Sequence, residues 1–257
     1  HPPLRLPPWA CLLLALVHRA AGHIPQRLHL VVNPFGGGGS GLATLDAVLP
    51  IFEASGIQVT ALTTEYAGHA AEYVRSLDLL DGFVGIGGDG TAHEIADAML
   101  RRPEAERVPV GIVPSGSGNT WAFDLGLGEA EAAARAIATG RTRLVDVMAV
   151  RPVDGHDDDD DDDAVRYAIN ICGVGMPAAV LEQANALRRF LGSAQYEIAG
   201  LLLVATGQTS YSATLEIESA DGATVTRELD DFSFAQAQVN RHMGKKVCFA
   251  PDASMVD

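Results

Sequence analysis

Three glycine-rich segments with polar side chains lie in the first half of the 257-residue chain: residues 33–41 (NPFGGGGSG), 87–91 (GGDGT) and 114–119 (PSGSGN). Glycine lets a backbone turn tightly and brings its N–H groups close to a bound anion, and a helix that begins there adds partial positive charge. One such turn is weak evidence. Three of them together predict a shared site for phosphate groups.

A carboxylate stands at the centre of the second segment. Asp89 lies between Gly88 and Gly90, at a place otherwise suited to anions. An ionised carboxylate repels phosphate unless it binds Mg²⁺ or takes up a proton, so Asp89 is expected to act as a metal ligand or as a base. The alternative is structural, because an aspartate here would also cap a helix that begins at Thr91.

Strand-like and helix-like patterns alternate from residue 28 onward. Short apolar runs at residues 28–33, 58–63, 82–87 and 109–113 predict strands, and the stretches between them predict helices. This alternation is typical of a mostly parallel sheet with helices on both faces. Because ligands of such sheets bind beyond the carboxyl ends of the strands, the glycine-rich segments are expected to meet there.

The pattern changes after about residue 144. Strand-like runs with Gly- and Asp-rich turns, among them residues 165–171, predict a second, mainly antiparallel domain, which a helical stretch at about 178–206 interrupts. We therefore expect an N-terminal segment at 1–27, a nucleotide-binding α/β domain at 28–145 and a β-rich domain at 146–257. The N-terminal segment is either signal-like or unstructured. The seven aspartates at 157–163 are expected to form a solvated loop.

Charge and cysteine content exclude some classes of partner. The formal net charge is −15, so a nucleic acid is not expected to bind, since such binding depends on Lys and Arg neutralising phosphates. The three cysteines, Cys11, Cys172 and Cys248, are odd in number and widely spaced. That arrangement favours reduced thiols over disulfides or a metal site, as in a cytosolic protein.

Together the motifs resemble those of the diacylglycerol kinase catalytic-domain family, in its branch of sphingosine and ceramide kinases. The segments NPFGGGG, TTEYAGHA (63–70), GGDGT and PSGSGN stand in the family's order. In the second half, residues 170–175 (NICGVG) and 188–196 (RRFLGSAQY) resemble the family's strand into the lipid site and an arginine-bearing stretch. Residues 249–257 (FAPDASMVD) resemble a segment that the family continues, so the β-rich domain is expected to be truncated at its C-terminus.

The resemblance implies a fold and an activity. The fold would be α/β, with an N-terminal parallel-sheet nucleotide domain like those of NAD kinase and diacylglycerol kinase, followed by a mainly antiparallel β-sandwich domain. The activity would be an ATP-dependent lipid kinase that uses Mg²⁺ and phosphorylates a hydroxyl of a sphingoid base, a ceramide or a diacylglycerol. It implies peripheral association with the cytoplasmic face of a membrane that holds the lipid substrate, and it leaves a homodimer open.

The resemblance also assigns site residues. The catalytic residues would be Asp89, which is also the implied metal ligand, and Glu182. The implied contacts to ATP are Asn33, Pro34, Phe35, Thr64, Gly88, Gly90, Thr91, Glu94, Gly116, Ser117, Gly118 and Arg189. For Glu94 an ordinary acid on a helix surface is the alternative.

One departure from the family pattern keeps other functions open. Pro177 stands where many relatives carry an acid, and Glu182 takes that place only with a one-residue shift. A non-catalytic lipid-binding relative is therefore one alternative, which Pro177 and the expected truncation favour. NAD kinase is the other, because it shares GGDGT, although NPFGGGG and PSGSGN argue against it.

Overall fold

The computed structural model describes residues 24–77, 81–116, 118–150, 165–175, 179–180, 198, 202, 210–218, 223–243 and 247–255. Cα packing groups the chain into two units. The larger runs to Val147 and also includes Tyr167–Asn170 and the chain from Val239 onward. The smaller is built from Met148–Arg166 and Ile171–Gln238. The bounds expected from the sequence place both returning segments in the β-rich domain instead.

A four-stranded parallel sheet forms the centre of the larger unit. Its strands lie in the order β2-β1-β3-β4 and comprise β1 (Arg27–Val32), β2 (Gln58–Thr63), β3 (Gly82–Gly87) and β4 (Val110–Pro114). All of β3 is buried, as is β1 after its first residue. Strands covered on both faces have continuous apolar sequences, which is why they were recognisable. The predicted parallel-sheet α/β fold is confirmed.

Helices cover both faces of this sheet. They are α1 (Gly41–Ala54), α2 (His69–Ser76), α3 (Asp89–Leu100), α4 (Thr120–Asp124) and α5 (Ala130–Ala138). On one face, buried residues of α1 and α5 share a core cluster with Leu30 and Val32 of β1. On the other, α2 and α3 share a cluster with Val31. Because successive side chains of a strand point to opposite faces, β1 contributes to both cores.

The chain returns to the larger unit near its C-terminus. Met255 is buried in a cluster with Trp121 of α4 and with Val145 and Val147. The Asp146 N–H donates to the Met255 carbonyl at 2.9 Å. Two short antiparallel strands, β11 (His242–Met243) and β12 (Val247–Cys248), precede this anchor. The last described residues therefore belong to the core that surrounds α4.

The smaller unit consists of antiparallel strand pairs, as predicted for the second half of the chain. Its strands are β5 (Met148–Val150), β7 (Ile171–Gly175), β8 (Tyr211–Glu218), β9 (Thr224–Phe232) and β10 (Phe234–Gln238), whereas β6 (Arg166–Ala168) has its last two residues in the larger unit. β7 pairs with β10, and β8 pairs with β9. The single strand predicted at residues 165–171 is instead two strands, and Asn170 lies between them. The aspartate run, most of the helical stretch and residues 1–23 lie outside the described residues.

Among the described helices, none has both the length and the apolar character that a membrane span requires.

Candidate functional site

The loops that leave the parallel strands are bonded to one another at the carboxyl edge of the sheet. The Asn33 N–H donates to the Ile86 carbonyl at 2.9 Å, and the Ser115 N–H donates to the Gly87 carbonyl at 2.9 Å. The Ser40 hydroxyl donates to the Ser115 carbonyl at 3.0 Å. The three glycine-rich segments therefore meet, as their positions after predicted strands required.

Two glycines allow this close packing of backbones. A Cβ on Gly37 would lie 1.8 Å from the Ser115 carbonyl oxygen, and the residue has a φ of +56°. A Cβ on Gly116 would lie 2.6 Å from the Cα of Gly88. Any larger residue would push the loops apart. By contrast, a Cβ on Gly90 would meet no atom within 4 Å, so Gly90 faces open space.

Asp89 is held by three hydrogen bonds. Its Oδ2 accepts from the Thr120 N–H at 3.0 Å, and its Oδ1 accepts from the Trp121 N–H at 2.9 Å. The Asn170 side-chain amide donates to Oδ1 at 3.2 Å. The alternative expectation, a cap on a helix beginning at Thr91, is wrong. The helix α3 begins at Asp89 itself, and the carboxylate caps α4, whose first N–H groups have no partner within that helix.

Asn33 ties the first segment to the second. Its Nδ2 donates to the Thr91 hydroxyl oxygen at 3.3 Å, and its Oδ1 accepts from the Phe35 N–H at 3.0 Å. The Phe35 side chain is 71% exposed despite its apolar character. Asn33 therefore sets the path of the loop that carries Pro34 and Phe35, and it leaves the aromatic ring on the surface.

The second strand contributes Thr64 and the turn that follows it. The Thr64 N–H donates to the Val32 carbonyl at 2.8 Å, and its hydroxyl donates to the same oxygen at 3.2 Å. The Gly68 N–H donates to the Glu94 carboxylate at 3.2 Å. Glu94 is therefore more than an ordinary surface acid, because it connects α3 to the turn that begins α2.

The last loop closes on itself through Asn119. Its Oδ1 accepts from the Gly116 N–H at 2.9 Å, and its Nδ2 donates to the Gly116 carbonyl at 2.6 Å. Asn119 adopts a φ of +54°, a conformation that asparagine tolerates better than most residues. The buried Ser115 hydroxyl finds no hydrogen-bond partner in the described part of the chain. This loop is thus pre-formed and keeps one polar group unsatisfied.

Three assigned residues cannot be placed. Ser117, Glu182 and Arg189 lie outside the described residues, as does Pro177. Conversely, two contacts of the larger unit were not anticipated. Asn170 reaches Asp89, and the Asp124 carboxylate binds the His242 imidazole and the N–H groups of Arg241 and His242. The partners lie from 81 to 118 residues apart, so no local pattern signals them.

The arrangement fits a nucleotide with its Mg²⁺ better than a protein-only metal site. The described residues hold no group of three His, Cys, Asp or Glu side chains that would bind an ion alone. Mg²⁺ commonly takes one or two carboxylates and completes its shell with waters and substrate phosphates. Asp89 supplies such a carboxylate. The unpartnered Ser115 hydroxyl and the open space at Gly90 leave room for a ligand.

The fold and the loop geometry together define a class of α/β proteins in which glycine-rich loops meet at the carboxyl edge of a parallel sheet. A putative diacylglycerol kinase from Bacillus anthracis str. Sterne has the same fold, with a TM-score of 0.67 and 21% identity over 91% of this chain and 73% of that one. Another crystal structure, of a diacylglycerol kinase from the same organism, gives a TM-score of 0.64.

The sequence comparisons narrow this class to a family. Residues 27–150 match the diacylglycerol kinase catalytic domain. Over 69% of its length the chain is 30% identical to ceramide kinase of Homo sapiens and 33% identical to sphingosine kinase 1 of Arabidopsis thaliana. By the match of residues 27–150 the chain contains a domain of the diacylglycerol kinase catalytic-domain family. It spans 35% and 37% of the lengths of these two relatives, and 23% of sphingoid long-chain bases kinase 1 of Arabidopsis thaliana, to which it is 29% identical over 68% of its own length.

Proposed function

We propose that the chain is the catalytic core of an ATP-dependent lipid kinase. The enzyme transfers the γ-phosphate of ATP to a hydroxyl of a sphingoid base, a ceramide or a diacylglycerol. The observation that carries the proposal is that the glycine-rich loops after β1, β3 and β4 meet at the carboxyl edge of the sheet, where the middle loop carries Asp89. The names of its relatives, which are kinases of lipids, support the acceptor class.

The glycine-rich loops hold the phosphates in this proposal. Backbone N–H groups at close-packed glycines bind anions without adding bulk. The buried Ser115 hydroxyl supplies a further polar group, and Gly90 leaves the space beside Asp89 open. The remaining contacts assigned to ATP are Asn33, Pro34, Phe35, Thr64, Gly88, Thr91, Glu94, Gly116, Ser117, Gly118 and Arg189. Mg²⁺, when bound, neutralises the charge that develops on the phosphate oxygens.

Asp89 is the group at the reacting centre. Three donors from two different segments fix its carboxylate, so it does not have to reorganise during the reaction. In this role Asp89 accepts the proton of the lipid hydroxyl as that oxygen attacks, a contribution of typically about 10²–10⁴-fold in rate. Glu182 is assigned to the orientation of the lipid hydroxyl. Phosphoryl transfer otherwise depends on alignment and charge neutralisation.

The substrate sets where the enzyme works. A sphingoid base, a ceramide or a diacylglycerol resides in a bilayer, so an enzyme that phosphorylates its hydroxyl has to meet the membrane surface. We therefore place the protein at the cytoplasmic face of a membrane, where ATP is supplied, with peripheral association. The net charge of −15 means that any anionic lipid surface is met through a local patch rather than through the overall charge.

An acceptor panel tests this function. The protein that carries this chain is incubated with γ-labelled ATP and Mg²⁺ and with sphingosine, ceramide, diacylglycerol or NAD. We expect label in at least one lipid product. Label in NAD alone would assign the site to NAD kinase. ATP binding without transfer to any acceptor would assign the chain to a non-catalytic lipid-binding relative.

A further inference from the structure

We propose that Asn170 is a positioning residue for phosphoryl transfer, which acts by holding the Asp89 carboxylate in its working orientation. The inference rests on the proposed function, because it needs Asp89 at the reacting centre. Asn170 lies outside the three glycine-rich segments of the first half of the chain, and it comes 81 residues after Asp89. Its part in the site is visible only in the structure.

The orientation of the Asn170 amide follows from its partner. Its Nδ2 lies 3.2 Å from Asp89 Oδ1 in a partly buried position. An ionised carboxylate only accepts hydrogen bonds, so the NH₂ end has to face it and the carbonyl end has to face away. Hydrogen bonds to a charged acceptor are stronger than those between neutral groups. Asn170 therefore acts on the orientation of Asp89.

The other two donors to Asp89 are backbone groups of one short helix. The N–H groups of Thr120 and Trp121 bind the carboxylate from α4. Together they bind both oxygens of the carboxylate, whereas Asn170 binds Oδ1 from a separate segment. The three bonds leave the carboxylate few ways to rotate. Asn170 is thus the member of this set that a side-chain substitution can remove.

Asn170 is itself placed by its backbone. Its carbonyl oxygen accepts from the Val239 N–H at 3.1 Å, and the preceding Ile169 is buried at 3% exposure. A side chain mounted on an anchored backbone holds its partner more accurately than one on a free loop. This placement suits a residue that has to fix the direction of a carboxylate.

The second end of the Asn170 amide is unsatisfied. Its Oδ1 is buried and has no hydrogen-bond partner within the described ranges. Burying an acceptor in this way reduces stability, so a residue selected for folding alone would use both ends of the amide. The unused acceptor lies on the same side chain that binds Asp89. The Asn170 amide is therefore used through its donor end, which binds Asp89.

Steady-state kinetics of Asn170→Ala test the proposal in the protein that carries this chain. Loss of a residue that orients a reacting group typically costs about 10–100-fold in activity. We expect that loss in kcat, with the KM for ATP changed by less than about 2-fold, because the phosphate loops stay in place. Asn170→Asp has the same shape without the donor, and it should be at least as damaging. Gln58→Ala removes an exposed amide at the opposite edge of the sheet and should leave kcat unchanged.

A double-mutant cycle separates positioning from general structural support. In an Asp89→Asn background, Asn170→Ala should lower kcat by less than about 3-fold, since its target is already lost. An equal loss in both backgrounds, or wild-type kcat for Asn170→Ala, would overturn the inference. If Asn170→Ala does not fold by circular dichroism, Asn170→Ser takes its place in the cycle. Absence of transfer by the wild-type protein would instead refute the proposed function itself.

Discussion

At the scale of single residues, Asp89 combines a structural and a chemical part. The sequence alone predicted Asp89 as a site residue, because the glycines on either side of it let the backbone approach a bound anion. Its structural role, however, was predicted as the cap of a helix beginning at Thr91, which is the wrong helix. The carboxylate caps α4, whose Thr120 lies 31 residues away, and no sequence period reports a contact over that separation.

Asp89→Asn is therefore expected to affect folding as well as activity. The new NH₂ group would face the N–H of Thr120 or Trp121, and one buried donor would lose its acceptor. We expect the free energy of unfolding to fall by about 1–3 kcal/mol. Urea unfolding of Asp89→Asn beside Asp46→Asn, an exposed helix position, measures the difference. Equal stability of the two variants would contradict the capping role.

His29 makes stability depend on pH. Burial, and then the charge of Arg27, hold the His29 pKa below its usual value of 6.5. The unfolded chain therefore binds this proton more readily than the folded chain. The stability from neutral His29 is complete above about pH 6.5 and is lost as the pH falls below it.

We expect the free energy of unfolding of the wild type to fall more steeply below about pH 6.5 than that of His29→Phe, which has no proton to gain. Urea unfolding at a series of pH values from about 7 to about 5 compares the two proteins. Parallel curves would show that His29 makes no such contribution.

At the scale of elements, most strands in the first half of the chain could be predicted from the sequence. The predicted bounds of β2 (Gln58–Thr63) and β3 (Gly82–Gly87) agree with the structure, because buried parallel strands bounded by turns have clear apolar sequences. The strand predicted at 165–171 was wrong, since the chain breaks at Asn170, whose side chain binds Asp89. Apolar content alone does not report such a break.

The contact between loops gives a prediction about nucleotide binding. Gly116→Ala would place a methyl group 2.6 Å from the Gly88 Cα, so the third and fourth strands could not keep their loops together. We expect at least about a 10-fold weaker affinity for MgATP, which corresponds to about 1.4 kcal/mol. Gly128→Ala is the control, because its Cβ would meet Phe123 at an ordinary 3.8 Å. Calorimetry that gives equal affinities for both variants would refute the close-packing argument.

At the scale of the whole molecule, the return of the chain to the larger unit was not predicted. Residues from Val239 onward continue a β-rich sequence pattern, so they were placed with the second domain. The burial of Met255 and the contacts of Asp124 with Arg241 and His242 attach these residues to the larger unit instead. Such returns depend on tertiary contacts between distant segments, which composition and periodicity do not encode.

Two methionines in this returning segment test its importance. Met255 is 6% exposed within the core around α4, whereas Met243 is 39% exposed on β11. Met255→Ala should lower the free energy of unfolding by about 2–4 kcal/mol, through lost burial and a residual cavity. Met243→Ala should change it by less than about 0.5 kcal/mol. Urea unfolding of both variants measures these changes. An equal loss of unfolding free energy in the two variants would mean that the segment adds little to the stability of the larger unit.

The central claim is that Asp89, at the meeting point of the glycine-rich loops, serves ATP-dependent phosphorylation of a lipid hydroxyl. The most direct measurement is transfer of γ-labelled phosphate to the best lipid acceptor by the wild type, Asp89→Asn and Asp46→Asn, each at a temperature where it is folded. We predict label in the lipid for the wild type and Asp46→Asn, and at least about 10²-fold less for Asp89→Asn. Equal transfer by all three proteins would contradict the account, because the reaction would then not depend on this carboxylate.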